Sequence, residues 1–213
     1  AWFAPPASDL DGLGMDRMVI AAEDRIDSAA NWKLLVEGGI ESYHFRVAHR
    51  ETIAAHFEDN LSSYRALGPH LRSILPRTGM AELAEHPSET RRLREHANMV
   101  YTLFPATQLL VQQDHVVWIH QAPLAPDRTI LRIATLTPTG GPLAEGKSSD
   151  HWRRNHAITV RTLEEDIRLG EGIQAGLASG ANDRLLFGRF EGALGRFNRT
   201  VAEHLASGHE KPV

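Results

Sequence analysis

The 213-residue chain predicts an α+β fold, and three observations carry that prediction. Four strand-like runs, Ala97 to Phe104, Thr107 to Gln113, His115 to Leu124 and Arg128 to Thr137, follow one another across short connections marked by Pro105, Asp114 and Ala125-Pro126-Asp127. Strands joined so tightly pair antiparallel, as a meander. From Ser149 to Leu177 the pattern changes: Trp152, Ile158, Leu163, Ile167, Ile173 and Leu177 recur at helical spacing, giving one long helix with an inward stripe. The third observation is size, which suits one large domain better than two. One face of the sheet needs cover, and the long helices are the available cover.

The other elements follow in order. Residues 1–14, rich in Pro, Gly, Ala and Asp, read as an extended connector, and residues 1–16 as a linker downstream of an N-terminal domain. The β-branched and apolar run Arg17 to Asp24 predicts a strand. Asn31 caps a helix carrying Leu34, Leu35, Val36 and Ile40. A second short helix is expected over 50–57, then a strand from Leu61 to Leu67. Gly68 to Pro87 reads as a long loop or short helices placed to cover a pocket mouth, and Ser88 to His96 as a polar capped helix. A last helix spans Arg189 to Ala206, the domain extends over 17–208, and 209–213 is a tail.

Composition narrows the function. Hydrophobic content of 42% and charged content of 23% are those of a soluble globular protein. A net charge of -4 argues against nucleic acid as a partner. No apolar run reaches the roughly 20 residues that cross a bilayer, and no basic leader precedes one, so a cytoplasmic location and no membrane partner are expected. The chain has no Cys, which excludes disulfides and an iron–sulfur cluster held by its own thiolates.

The chemistry concentrates in Asn31 to His49, NWKLLVEGGIESYHFRVAH. Glu41 and His44 are three apart and share a helix face. His49 lies five beyond His44, where an unbroken helix would rotate it away, so the chain must bend if both rings are to reach one ion. Two imidazoles with a carboxylate form the donor set of non-haem iron oxygenases. Spacing alone favours partly buried polar histidines, since a chain with 12 His produces such pairs by chance. By the same reasoning His56 is a solvated helix residue, and Glu164, Glu165 and Asp166 are a solvated acidic patch on the long helix.

Resemblance shifts that balance. The run N-W-K-L-L-V-E-x-x-x-E-S-Y-H-x-x-x-x-H resembles the iron-binding segment in the catalytic domain of Rieske-type ring-hydroxylating oxygenases, large (alpha) subunit. R-T-L-E-E-D-I-R-L-G-E-G-I-Q-A-G-L, from Arg161 to Leu177, is similar to that family's later helix, and the likeness extends through F-G-R-F-E-G-A-L at Phe187 to Leu194. The resemblance implies a helix-grip, START-like fold with the Rieske domain absent from this chain. It also implies Fe(II) held by His44, His49 and Asp166. Further implications are O2-dependent hydroxylation of a small organic, in the first place aromatic, substrate, with electrons from a Rieske [2Fe-2S] centre outside this chain. A reductase or ferredoxin and a homotrimer would be the partners, with Glu41 as the electron-transfer bridge between subunits. Motif style is nearer to members that oxidise small aromatic acids or quaternary amines. Gly38-Gly39 departs from the family, which very often has Asn after the Glu of V-E-N; a kink or a tight approach of another backbone is expected there.

Alternation leaves open which of Leu110, Val111, Gln113 and Trp118 line a cavity. Two other classes fit the residues: a metal-free binder of an apolar small molecule, and a hydrolase using Zn at the same three side chains.

Overall fold

A computed structural model describes residues 4–140, 144–181 and 184–208. Among these residues seven strands, β1 (Met18–Ser28), β2 (Ser63–Leu67), β3 (His70–Pro76), β4 (Ala97–Leu103), β5 (Thr107–Val111), β6 (Val116–Ala125) and β7 (Arg128–Pro138), form one sheet in the order β1-β7-β6-β5-β4-β3-β2. Every neighbouring pair is antiparallel. The meander expected between 97 and 137 is present, and β1 closes it by pairing with β7 from Met18↔Pro138 to Ser28↔Thr129.

Among the described residues six α-helices complete the fold: α1 (Ala4–Asp11), α2 (Trp32–Gly38), α3 (Phe45–Ala48), α4 (Leu93–His96), α5 (Ser149–Ala178) and α6 (Gly192–Gly208). Ser148 caps α5 by accepting from the His151 amide, and Asp150 in its first turn suits the positive end of the helix dipole. α5 lies across the sheet near β1 and β7 and against α2. Its stripe is narrower than expected: Trp152 and Ile167 are buried, while Ile158 and Ile173 stay exposed. Gly170 lets the two helices approach, since a Cβ there would lie 2.9 Å from Leu35 Cδ2.

Several expectations are corrected. The first described residues form α1 and not an extended connector; Leu10, Leu13 and Met15 pack against the buried cluster of Leu67, Tyr101, Leu109, Val111 and Val116, and Arg72 bonds Asp9 at 2.5 Å. The strand predicted to end at Asp24 runs on to Ser28. Instead of a helix over 50–57 there is α3 before it and a 3₁₀ turn at Ala54–His56. The stretch from Gly68 to Pro87 contains a full strand, β3, besides a 3₁₀ turn at Met80–Glu85. Ser88 to His96 divides into a 3₁₀ turn and α4. Residues 209–213, expected as a tail, lie outside the described residues.

Candidate metal centre

Asn31 caps α2 as expected, its side chain accepting the Lys33 amide at 3.0 Å. The helix then stops at Gly38-Gly39, and the chain turns before α3 begins. That turn is the bend that lets two histidines five apart face each other. Of the two alternatives expected there, the break in the helix is present; a Cβ on Gly39 would sit 2.6 Å from Gln108 Oε1, so the close neighbour is a side-chain amide and not another backbone. The Gln108 amide donates to the Val36 carbonyl at 2.9 Å and to Thr102 Oγ1 at 3.2 Å, tying the end of α2 to β5.

His44 Nε2 and His49 Nε2 are 3.2 Å apart. Asp166 Oδ1 on α5 lies 3.3 Å from the first and 3.0 Å from the second. The three donors come from segments more than a hundred positions apart in order, yet they form the metal-capable cluster found among the described residues. Donors about 3 Å from one another suit three bonds of about 2.1 Å at roughly right angles, the facial arrangement of a 2-His-1-carboxylate site. The outer nitrogens are also held. His44 Nδ1 is 2.5 Å from Glu41 Oε1, and His49 Nδ1 is 2.8 Å from Glu165 Oε2, which also accepts Thr52 Oγ1 at 2.7 Å. A carboxylate on the far nitrogen fixes the tautomer that presents Nε2 as a ligand. Glu41 further accepts the Tyr43 backbone amide, while the Tyr43 ring is half exposed.

The electrostatics are those of a compact cluster of opposite charges. Burial of the His44 ring opposes its charge, but Asp166 and Glu41 outweigh it and the imidazole is pushed up to about 9. His49, wholly buried, is raised in the same way against its burial by Asp166 and Glu165. Burial alone would raise the carboxyl of Asp166; the two imidazoles reverse this and hold it below its ordinary value. Cations are what this carboxylate group is built to face, and an ion in their midst would take the place of the two imidazolium protons.

Residues 15–207 match the family model described as ring hydroxylating alpha subunit, catalytic domain. The chain belongs to this family. Among curated proteins it is 25% identical over 202 residues to the glycine betaine monooxygenase oxygenase subunit of Chromohalobacter salexigens, a match covering 78% of this chain and 44% of that protein. Similar solved structures include the quaternary ammonium Rieske monooxygenase CntA in complex with L-carnitine (TM-score 0.70, 19% identity, 94% of this chain and 53% of that one). Dicamba monooxygenase bound to dicamba is another (TM-score 0.60, 14% identity, 90% of this chain and 60% of that one). At these identities the structures speak for the fold. The chain spans about half the length of these relatives.

Within this family's catalytic domain a cavity of about 420 Å³ opens beside His49, Asp166 and Glu41, between the sheet and α5. Of the four wall candidates, Leu110 lines it; Val111 and Trp118 belong to the cluster on the opposite face, and Gln112 stands where Gln113 was expected. A smaller cavity, about 260 Å³, meets the cluster from the other side at His44 and Asp166. His56 lines the larger cavity but is exposed and joins no ligand cluster. Glu165 is the residue that sequence reasoning missed, dismissed with its neighbours as a solvated patch. It is nearly buried, with a side chain 12% exposed. Its position directly before Asp166 is the sequence signal that points to it, because one helix turn can offer adjacent carboxylates to both nitrogens of one ring.

Proposed function

We propose that His44, His49 and Asp166 hold a ferrous ion and that this domain carries out O2-dependent hydroxylation of a small organic substrate. The observation that supports the reading best is the convergence of three ligand atoms, from two distant segments, at 3.0–3.3 Å from one another. Family membership points the same way. When bound, ferrous iron supplies the activation of dioxygen. The chain's own residues do the rest. Glu41 and Glu165 accept the Nδ1 protons and keep both Nε2 atoms free for ligation. The cavity wall of Leu35, Val100, Leu110, Ile119 and Leu163 seats an organic molecule next to His49 and Asp166 and keeps water away from them.

Without Cys the chain has no thiolates for a cluster, so electrons reach the site from a Rieske [2Fe-2S] centre and reductase elsewhere. The relative described for carnitine oxidation is linked with inter-subunit electron transfer. In this reading three copies assemble, in the helix-grip arrangement of the family, and Glu41 carries the coupling from a neighbouring subunit's cluster to His44. Substrates named for the relatives, glycine betaine, L-carnitine and dicamba, set the size range.

Metal analysis of the wild type beside His44→Ala and Asp166→Ala tests the assignment. The expected result is about one iron per chain in the wild type and loss of tight iron in both variants. A wild type that takes up no stoichiometric iron under anaerobic loading would leave a binder of small molecules in place of an oxygenase.

A further inference from the structure

The larger cavity has two unlike ends. Gln108 marks the end beside the metal donors, because it packs on Gly39 and the adjoining Gly38 approaches the Asp166 carboxyl group. Four residues further on, just past the end of β5, the wall reaches Gln112, about 13 Å away at the rise of an extended chain. The wall between them is aliphatic: Leu75, Val100, Leu110 and Ile119, with Val100 paired to Leu110 across β4 and β5. At the far end it becomes polar again. Asn98, opposite Leu75, is 7% exposed, and its Oδ1 has no hydrogen-bond partner. Arg77 lies two residues beyond Leu75 and therefore on the same side of the strand. It lines the cavity, is partly buried, and its guanidinium has no acidic partner among the described residues.

A guanidinium on a cavity wall without a counter-ion leaves a place for an anion, and the Asn98 amide, whose Oδ1 lacks a donor where it stands, presents its Nδ2 hydrogens to the same space when turned over. The backbone on either side of Arg77 is fully engaged: its amide bonds the His96 carbonyl at 2.9 Å and it bridges Phe57. Phe57 stacks edge-on against Phe45, which in turn contacts the His49 ring. This holds the root of Arg77 at a fixed remove from the metal donors. Other charged groups on the wall do not neutralise it. Glu41 and Asp166 are engaged with the histidines, and Glu51 and Arg161 are exposed at the mouth.

Resting on the reading of the metal centre above, we propose that Arg77, with the carboxamides of Asn98 and Gln112, is the anion-recognition end of the cavity. The substrate class is then a small organic carboxylate. Its head group sits on the guanidinium, which offers two parallel N–H donors to a carboxylate. Its apolar end lies along Leu75, Val100 and Leu110 and reaches the His49 and Asp166 side, where the oxidisable carbon is placed. Arg77 thus determines specificity by setting which end of the molecule faces the ligands.

Isothermal titration calorimetry of the iron-loaded domain with phenylacetate and with its neutral counterpart phenylacetamide tests this. The expected result is saturable binding of phenylacetate, at least tenfold weaker binding of phenylacetamide, and a loss of tenfold or more for phenylacetate in Arg77→Gln with phenylacetamide unaffected. Arg77→Lys should recover part of the loss. Asn98→Asp, which sets a negative charge against the head group at constant size, should weaken phenylacetate alone and provides the test if Arg77→Gln does not fold. Equal binding of acid and amide, no binding of either, or binding indifferent to both substitutions overturns the proposal. Iron content of the same samples separates this from the metal assignment: full iron with no carboxylate preference overturns only the anion end. Carboxylate preference without iron overturns only the metal centre.

Discussion

His49 Nδ1 stands 2.8 Å from Glu165 Oε2, while the next residue on the same helix turns its carboxylate to the other nitrogen of the same ring. One imidazole is therefore clamped between consecutive acids, Glu165 at Nδ1 and Asp166 at Nε2. Glu165→Gln keeps the shape and removes the charge, so His49 loses both basicity and a fixed tautomer. Iron affinity should fall by about 10- to 100-fold, the usual effect of removing such a partner. Anaerobic Fe(II) titration against a competing chelator reads the change. Unchanged affinity would mean that Glu165 is structural only.

Gly39 is required by space. Its absent Cβ would overlap the Gln108 amide, which must then leave the Val36 carbonyl and the Thr102 hydroxyl. Gly39→Ala should cost about 1–3 kcal/mol through this overpacking. In a double-mutant cycle with Gln108→Ala most of the loss should disappear, since the clashing amide is gone. Denaturant midpoints at constant m value provide the measurement. A loss that persists in the double variant would place its origin in the backbone of the turn.

The N-terminal segment should matter to the fold as well. Leu10 and Leu13 contribute to the cluster around Tyr101 and Val111 on the sheet face away from α5. Each is half buried, so Leu10→Ala with Leu13→Ala should lower stability by about 2–4 kcal/mol, toward the low end of core truncations summed. Thermal unfolding of the double variant checks this, and an unchanged midpoint would mean that α1 is a passenger.

How far these features are legible from sequence depends on the signal each carries. The meander between Ala97 and Thr137 and the long helix from Ser149 announce themselves because each alternates or repeats at its own period over ten residues or more. β3 does not: it is buried on both faces, with His70 accepting the Phe104 amide at 3.0 Å, and its Arg72, Ser73 and terminal Pro76 mask any period of two. α1 was hidden by its own composition, since Pro5, Pro6 and Asp9 read as connector while the packing of Leu10 and Leu13 is a tertiary effect. Of the site, His44, His49, Asp166 and Glu41 came through motif resemblance, whereas spacing favoured the bland reading. Glu165, despite its place beside Asp166, and Arg77 are hard to read for a common reason. Both are charged residues on partly polar stretches, and only the fold shows that one meets a ring and the other a cavity.

Asp114 provides a pH-dependent contribution away from the metal cluster. Its carboxylate sits 2.7 Å from His115 Nδ1, 3.0 Å from His151 Nε2 and 3.0 Å from Lys147 Nζ, joining the β5–β6 turn to the start of α5. Burial would raise its carboxyl, but hydrogen bonds from His115, Lys147 and His151 prevail and hold it well below the usual carboxylate range. A folded-state value below the unfolded one, about 3.9, favours the folded form wherever the group is ionised. The contribution is therefore complete at pH 5 and is lost as pH falls below about 4 toward the depressed folded value. Asp114→Asn keeps the size and removes the charge, and should cost about 1–3 kcal/mol at pH 5 through the weakened bonds. The difference from wild type should shrink at pH 3, where unfolded chains carry the proton and the wild-type advantage drains away. Urea midpoints of both proteins at pH 5, 4 and 3 measure it. A gap that stays constant down to pH 3 would show that the ionised carboxylate does not hold β6 to α5.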